Sequence, residues 1–181
     1  MSALRPYQLK AKEDIYASWQ TKQHVVAVLP TGAGKTVLLS NIVNEVNAPT
    51  CVIAHRQELV SQISLALATQ GVRHKLVAPK NVIRNIINLH LFVLGTDFYD
   101  PNSKVATAGV DTLIRRVDQL QAWSQSVRLW VIDEAHHLLL DNKWGQAVKM
   151  FPNAKGLGVT ATPLRADGKG LGVDSDGVFE E

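Results

Sequence analysis

The chain holds a single cysteine, Cys51, among its 181 residues. An internal disulfide framework and a multi-cysteine zinc site are therefore excluded. Long apolar runs are also missing. Stretches such as Val25 to Leu29 fall far short of the roughly 20 residues that a membrane-spanning helix needs, so no membrane partner is expected. The N-terminus, MSALRPYQLK, carries neither an apolar signal core nor a cleavage signature. Nothing there marks the chain for export, and a cytoplasmic, intracellular location is expected. Internal repeats are absent. Charged residues make up only 19% against 46% hydrophobic, a balance that excludes a disordered tail or a fibrous protein. What remains is a globular domain of ordinary size, long enough to bury a core without staples.

Charge is uneven along the chain. Residues 1–90 carry ten Lys/Arg against four Asp/Glu, whereas residues 91–181 carry nine against twelve. Much of that acidic excess is terminal, where Asp167, Asp174, Asp176, Glu180 and Glu181 outnumber Lys169. The body without its end is basic, which favours a polyanionic partner.

Two periodicities alternate. Short apolar runs, Val25 to Leu29, Cys51 to Ala54 and Val127 to Ile132, have the composition of parallel strands buried on both faces. Lys75 to Ala78, Val105 to Thr107 and Gly156 to Val159 read as shorter strands. Between them lie helical patterns over Arg5 to Trp19, Lys35 to Val46, Glu58 to Gln70, Asn81 to Leu89, Val110 to Arg116 and Trp144 to Met150. Gly95 to Ser103 has loop composition, and from Ala166 onward the chain is rich in glycine and aspartate without periodicity. Strands alternating with helices imply an α/β fold, a parallel sheet with helices on both faces. The expected division is one domain over residues 1–165 and a flexible tail over 166–181.

The strongest chemical signal is LPTGAGKT, Leu29 to Thr36, between a buried strand and an amphipathic helix. A phosphate chain needs backbone N–H groups aimed at it, and Gly32 and Gly34 allow the curl that supplies them, with Thr31 and Ala33 completing the loop. Lys35 would reach the β- and γ-phosphates, and the Thr36 hydroxyl would bind Mg²⁺. The strict pattern has glycine where this chain has Leu29. The second signal is VIDEAHH, Val131 to His137, at the end of the most apolar strand. Carboxylates there project from the carboxyl edge of a parallel sheet, where ligands bind. Asp133 would hold Mg²⁺ and Glu134 would orient and deprotonate an attacking water.

LPTGAGKT followed by DEAH resembles superfamily 2 helicases and translocases, specifically their first, RecA-like P-loop domain. Further segments match in order. Arg5-Pro6-Tyr7-Gln8 resembles the adenine-reading motif, which implies that Gln8 meets the adenine edge and that Tyr7 or Arg5 stacks on the base. AHRQELVSQ, Ala54 to Gln62, resembles a segment that touches the nucleic-acid backbone, implying His55 and Arg56. VATAGVDTLIRR, Val105 to Arg116, resembles the next such segments, implying Thr112, Arg115 and Arg116, although Asp111 stands where many relatives carry a neutral glutamine. VTATP, Val159 to Pro163, resembles the motif that couples the ATP site to nucleic acid, implying Thr160 and Thr162, with His136 of DEAH in the same role. The resemblance implies ATP and Mg²⁺ as ligands, and its motif style favours DNA over RNA.

In that family ATP is hydrolysed between two RecA-like domains, and the second supplies an arginine finger. No such motifs occur here, and Arg165 adjoins VTATP instead. The expectation is half of a motor, turning over slowly or not at all by itself and needing a second RecA-like domain in cis or in trans. A non-catalytic, nucleotide-dependent interaction module is the alternative, with a phosphate-loop ATPase of transport or metabolism a third. His136-His137 lacks a companion ligand set for a metal. Trp19, Trp123, Trp130 and Trp144 read as packing anchors, not a base-stacking platform.

Overall fold

A computed structural model describes residues 4–29, 34–134 and 142–160 of the chain. Its elements in order are α1 (Pro6–Trp19), β1 (His24–Val28), α2 (Lys35–Val46), β2 (Thr50–Ala54), α3 (Gln57–Thr69), β3 (Lys75–Val77), α4 (Lys80–Leu94), β4 (Val105–Gly109), α5 (Val110–Arg115), α6 (Gln121–Ser126), β5 (Leu129–Asp133), α7 (Lys143–Val148) and β6 (Lys155–Thr160). The expected domain boundary near residue 165 and the tail lie outside the described residues.

The strands form one sheet in the order β1-β6-β5-β2-β4-β3, and every adjacent pair is parallel. After β1 the chain passes over the two places later filled by β6 and β5 and lays β2 beyond them. Every residue of β2 and of β5 is buried, as the unbroken apolar runs require for strands covered on both faces.

Side chains alternate between two cores, because successive strand residues point to opposite faces. Val52, Val131, Leu157 and Val159 pack with Leu38, Leu39 and Ile42 of α2, Ile63 of α3 and Ile86 of α4, together with Ile15 and Trp19 of α1. Cys51, Ile53, Trp130 and Ile132 face the opposite way, against Val110 and Leu113 of α5 and Trp144 and Ala147 of α7. Helices α1 to α4 thus cover one face and α5 to α7 the other. Trp130 lies directly over β6, where a Cβ on Gly156 would come within 2.2 Å of its ring, so only glycine fits there.

Two elements differ from the sequence expectation. Helix α4 continues past Leu89 to Leu94 and stops at Gly95, whose φ of +77° favours glycine. Its last turn leaves Leu91, Phe92 and Val93 exposed, so the apolar period fades before the helix ends. Helix α6 goes unforeseen because QAWSQS is short and polar, with only Ser124 buried.

Between α3, α4 and the start of β3 lies a chain of buried polar groups. The Phe98 N–H donates to His90 Nδ1 at 3.2 Å, and His90 Nε2 and Ser64 Oγ are 2.9 Å apart. Ser64 Oγ is 2.6 Å from His74 Nε2, and His74 Nδ1 is 2.9 Å from the Val72 carbonyl. The fixed backbone partners at the two ends set both tautomers: His90 donates to Ser64, Ser64 to His74 and His74 to Val72. Every member is satisfied, which is what such burial demands.

Candidate functional site

The carboxyl ends of β1, β6 and β5 are neighbours, with Val28 opposite Thr160 and Val159 opposite Asp133. The Leu29 N–H extends the ladder to the Thr160 carbonyl at 2.8 Å. The phosphate-loop strand, the acidic strand and the strand carrying Thr160 therefore end side by side. Thr160 itself is fully buried.

Lys35 opens α2 and Asp133 closes β5, elements far apart in sequence. The fold places Lys35 Nζ 3.7 Å from Asp133 Oδ1. Burial raises the Asp133 pKa above the ordinary carboxylate value, and the Lys35 ammonium and the Glu134 N–H partly offset it. That N–H donates to Asp133 Oδ1 at 2.8 Å. Glu134 reaches this geometry at φ +55°, a left-handed conformation that a non-glycine residue adopts at a cost.

Gln8 is buried and bridges two helix starts. Its Oε1 accepts from the Arg5 N–H at 2.8 Å, and its Nε2 donates to the Gly34 carbonyl at 3.2 Å. Gly34 immediately precedes α2 at φ +73°, and a Cβ there would lie 2.5 Å from Gln8 Nε2. Glycine is therefore required twice over, for the backbone turn and for the approach of Gln8. Tyr7 is exposed beside them, its hydroxyl 3.4 Å from the Arg5 guanidinium. The resemblance implies a base-reading role for Gln8, but its contact with Gly34, 26 residues away, is a tertiary feature that no local pattern announces.

Further along the same edge, β2 and β4 pair with Ala54 opposite Gly109. His55 and Arg56 leave the end of β2, and α5 begins directly after β4 with Thr112, Arg115 and the following Arg116. A cavity of about 200 Å³ lies between them, lined by His55, Pro79, Asp111, Thr112 and Arg115. Arg115 donates to the Thr112 hydroxyl at 3.3 Å, and Arg116 to the Ala78 carbonyl at 3.4 Å. Asp111 is paired with Lys143 at 3.2 Å. All five of these candidates from the sequence thus come to one stretch of the sheet edge. A separate cavity of about 270 Å³, lined by Tyr16, Trp19, Arg128 and Lys155, opens where β5 and β6 begin, remote from these groups.

Thr31, Gly32, Ala33, His136 and Thr162 lie outside the described residues. Among the described residues no cluster of three or more His, Cys, Asp or Glu side chains forms a metal site. Thr36, in the first turn of α2, and Asp133 are hard oxygen donors of the kind Mg²⁺ takes. Thr36 follows β1 and Asp133 ends β5, with β6 between the two strands, and the charge of Asp133 is already met by one cation. The tryptophans pack: Trp19, Trp130 and Trp144 are buried, and Trp123 meets Phe151 edge to face. No described helix is long and apolar enough to cross a membrane.

Parallel strands in this order, covered on both faces, with Lys35 of α2 set against the acidic pair at the end of β5, define a RecA-like domain of the superfamily 2 helicase class. The chain belongs to the family described as type III restriction enzyme, res subunit, whose model matches residues 1–165. It is 30% identical to the protein IRC3 of Saccharomyces cerevisiae over 190 residues, which covers 96% of this chain and 25% of that protein. It is 26% identical to the DNA 3'-5' translocase XPB2 of Sulfurisphaera tokodaii, covering 92% of this chain and 32% of the relative. A similar fold occurs in the Type ISP restriction-modification enzyme LlaGI, solved with a DNA substrate mimic, at a TM-score of 0.63 and 16% identity over 90% of this chain and 18% of that one. The chain thus spans a third or less of the length of these proteins.

Proposed function

We propose that this chain is the ATP-binding half of a DNA-dependent motor, a helicase or translocase that hydrolyses ATP only when a second RecA-like domain closes the site. The observation that carries the reading is the Lys35–Asp133 ion pair, which joins the phosphate-loop helix to the acidic strand across 3.7 Å. The lysine neutralises a buried carboxylate. Thr36 and Asp133 are the side chains that would hold Mg²⁺, which would supply charge neutralisation for the phosphates, and Lys35 would reach the β- and γ-phosphates.

Glu134, held at a left-handed backbone conformation, would orient the attacking water and take its proton. Gln8 would face the adenine edge, with Tyr7 or Arg5 against the base. Thr31, Gly32, Ala33 and Gly34 would supply the backbone cradle. His55, Arg56, Thr112, Arg115 and Arg116 would meet the DNA backbone, and His136, Thr160 and Thr162 would connect the two ligands. The naming of XPB2 as a DNA 3'-5' translocase and the DNA substrate mimic bound to LlaGI support DNA as the polymer.

Titration with Mg-ATP tests the nucleotide site. Lys35→Ala should abolish binding, whereas Glu134→Gln should bind normally and fail to turn over once a second domain is supplied. Unchanged affinity in Lys35→Ala would sink the reading.

A further inference from the structure

Because every strand is parallel, all six begin at one edge of the sheet, opposite the edge that carries Asp133 and Thr160. Strand β6, from Lys155 to Thr160, separates the two edges by roughly 17 Å. The cavity of about 270 Å³ lies at that first edge, where α1 and α2 end and β5 and β6 start. Its apolar wall is formed by Tyr16, Trp19, Val46 and Leu129, and its charged members are Arg128 and Lys155.

The wall is fixed in place. Trp19 Nε1 donates to the Gly156 carbonyl at 3.1 Å, which ties the end of α1 to β6, and Tyr16 stacks on the Trp19 ring at 5.9 Å. Leu129 stands opposite Lys155 in the ladder, and the Lys155 N–H donates to the Arg128 carbonyl at 3.0 Å. The two cations are therefore neighbours on adjacent strands. Lys155 Nζ lies 6.0 Å from the centre of the Trp19 ring. Arg128 and Lys155 are exposed, and neither makes an ion pair among the described residues. Glu45, beside Tyr16, is already met by Lys12 at 2.8 Å. Two positive charges that no described carboxylate meets thus border an apolar floor.

We infer that this cavity is a docking site for an acidic segment of a partner protein, which inserts one apolar side chain against Trp19 and Leu129 and sets carboxylates against Arg128 and Lys155. Its volume limits the occupant. Small-molecule sites run from roughly 300 to 1,000 Å³, and a smaller cavity suits a single side chain. Trp, Tyr and Arg are also the residue types that most often anchor protein interfaces. Nucleic acid fits less well. Its phosphates would meet two cations, but its backbone has nothing to fill the apolar floor, and Trp19, 8% exposed, offers too little face to stack a base. A partner held here leaves the candidate nucleotide site and the proposed DNA edge open, so tethering and motor function do not compete for surface.

The test is a titration of this 181-residue chain, isotope-labelled, followed by heteronuclear NMR. The probe is a capped pentapeptide with phenylalanine between two pairs of acidic residues. It should shift the Trp19 indole N–H and the amides of Arg128 and Lys155, with a dissociation constant below about 1 mM. Alanine in place of the peptide's phenylalanine should weaken binding at least about tenfold, as loss of a buried anchor does. Arg128→Gln with Lys155→Gln should weaken it by about three- to tenfold, the scale of two partly exposed ion pairs. Both substitutions are on the surface, so the fold should persist, and Mg-ATP affinity at the opposite edge should stay within about twofold.

No shift at Trp19 with about 5 mM peptide would overturn the inference. So would peptide binding that ignores the paired substitution, or that tolerates alanine in place of phenylalanine. Short duplex DNA that moves the same resonances at lower concentration than the peptide would also overturn it, and would make this edge a nucleic-acid surface.

Discussion

Gly34 shows how a single residue joins two parts of the candidate site. Its φ of +73° is left-handed, and the space a Cβ would need is taken by Gln8. Gly34→Ala should therefore cost about 1–2 kcal/mol of stability from backbone conformation alone. It should also displace Gln8 from its carbonyl partner, so that Mg-ATP affinity falls along with the melting temperature. Gln8→Ala in the Gly34→Ala background should add little further loss of affinity, because one substitution has already broken the contact. Differential scanning fluorimetry and nucleotide titration on the three variants measure both effects. The residue types at this site are legible in sequence, since glycines, a lysine and paired carboxylates have few other uses in this pattern. The pairing of Lys35 with Asp133 and of Gln8 with Gly34 is not legible, because each joins elements that only the sheet order brings together.

At the scale of elements, the strands and helices with a clean apolar period are the ones that sequence specifies best. Helix α2, with Leu38, Leu39, Ile42 and Val43 buried on one face, keeps its expected bounds of Lys35 to Val46. Helix α4 overruns its expected end because chain stiffness and Gly95, not burial, decide where it stops. The packing of α3 and α4 through Ser64, His74 and His90 carries its own pH dependence. Burial lowers the His74 pKa from 6.5 to about 4, the Val72 carbonyl partly opposing, and lowers that of His90 as well. The unfolded chain therefore binds these protons first, so stability is complete above pH 6.5 and drains away as pH falls toward 4. His74 alone accounts for roughly 3 kcal/mol of that loss. Asp133, whose pKa is raised by burial, works in the opposite direction. Urea unfolding from pH 7 to pH 4 should show the decline, and His74→Gln should flatten it at the expense of stability at neutral pH.

For the whole molecule, the parallel sheet follows from buried apolar runs separated by helices, and its two cores follow from the alternation within each run. The strand order does not. No local feature of Gly156 to Val159 says that it lies between β1 and β5, yet that insertion sets the spacing between the phosphate-loop strand and the acidic strand. The chain covers 25% of IRC3 and 32% of XPB2, and the proposed motor calls for a second RecA-like domain. ATP turnover by this chain with DNA should be negligible. Adding a cognate second RecA-like domain in trans should raise it by about 10³- to 10⁵-fold, the usual worth of an arginine finger. Steady-state phosphate release with and without that partner decides the matter; robust turnover by the chain alone would mean that self-association supplies the missing arginine.

The left-handed backbone at Glu134 sets function against robustness. A glycine there would relieve about 1 kcal/mol of conformational cost, less the greater freedom it lends the unfolded chain. Glu134→Gly should consequently melt no lower than the parent while losing turnover in the two-domain assembly. Thermal-shift selection of variants of this domain would then enrich folded, nucleotide-binding, inert proteins. Directed evolution toward heat tolerance therefore needs an activity gate at every round.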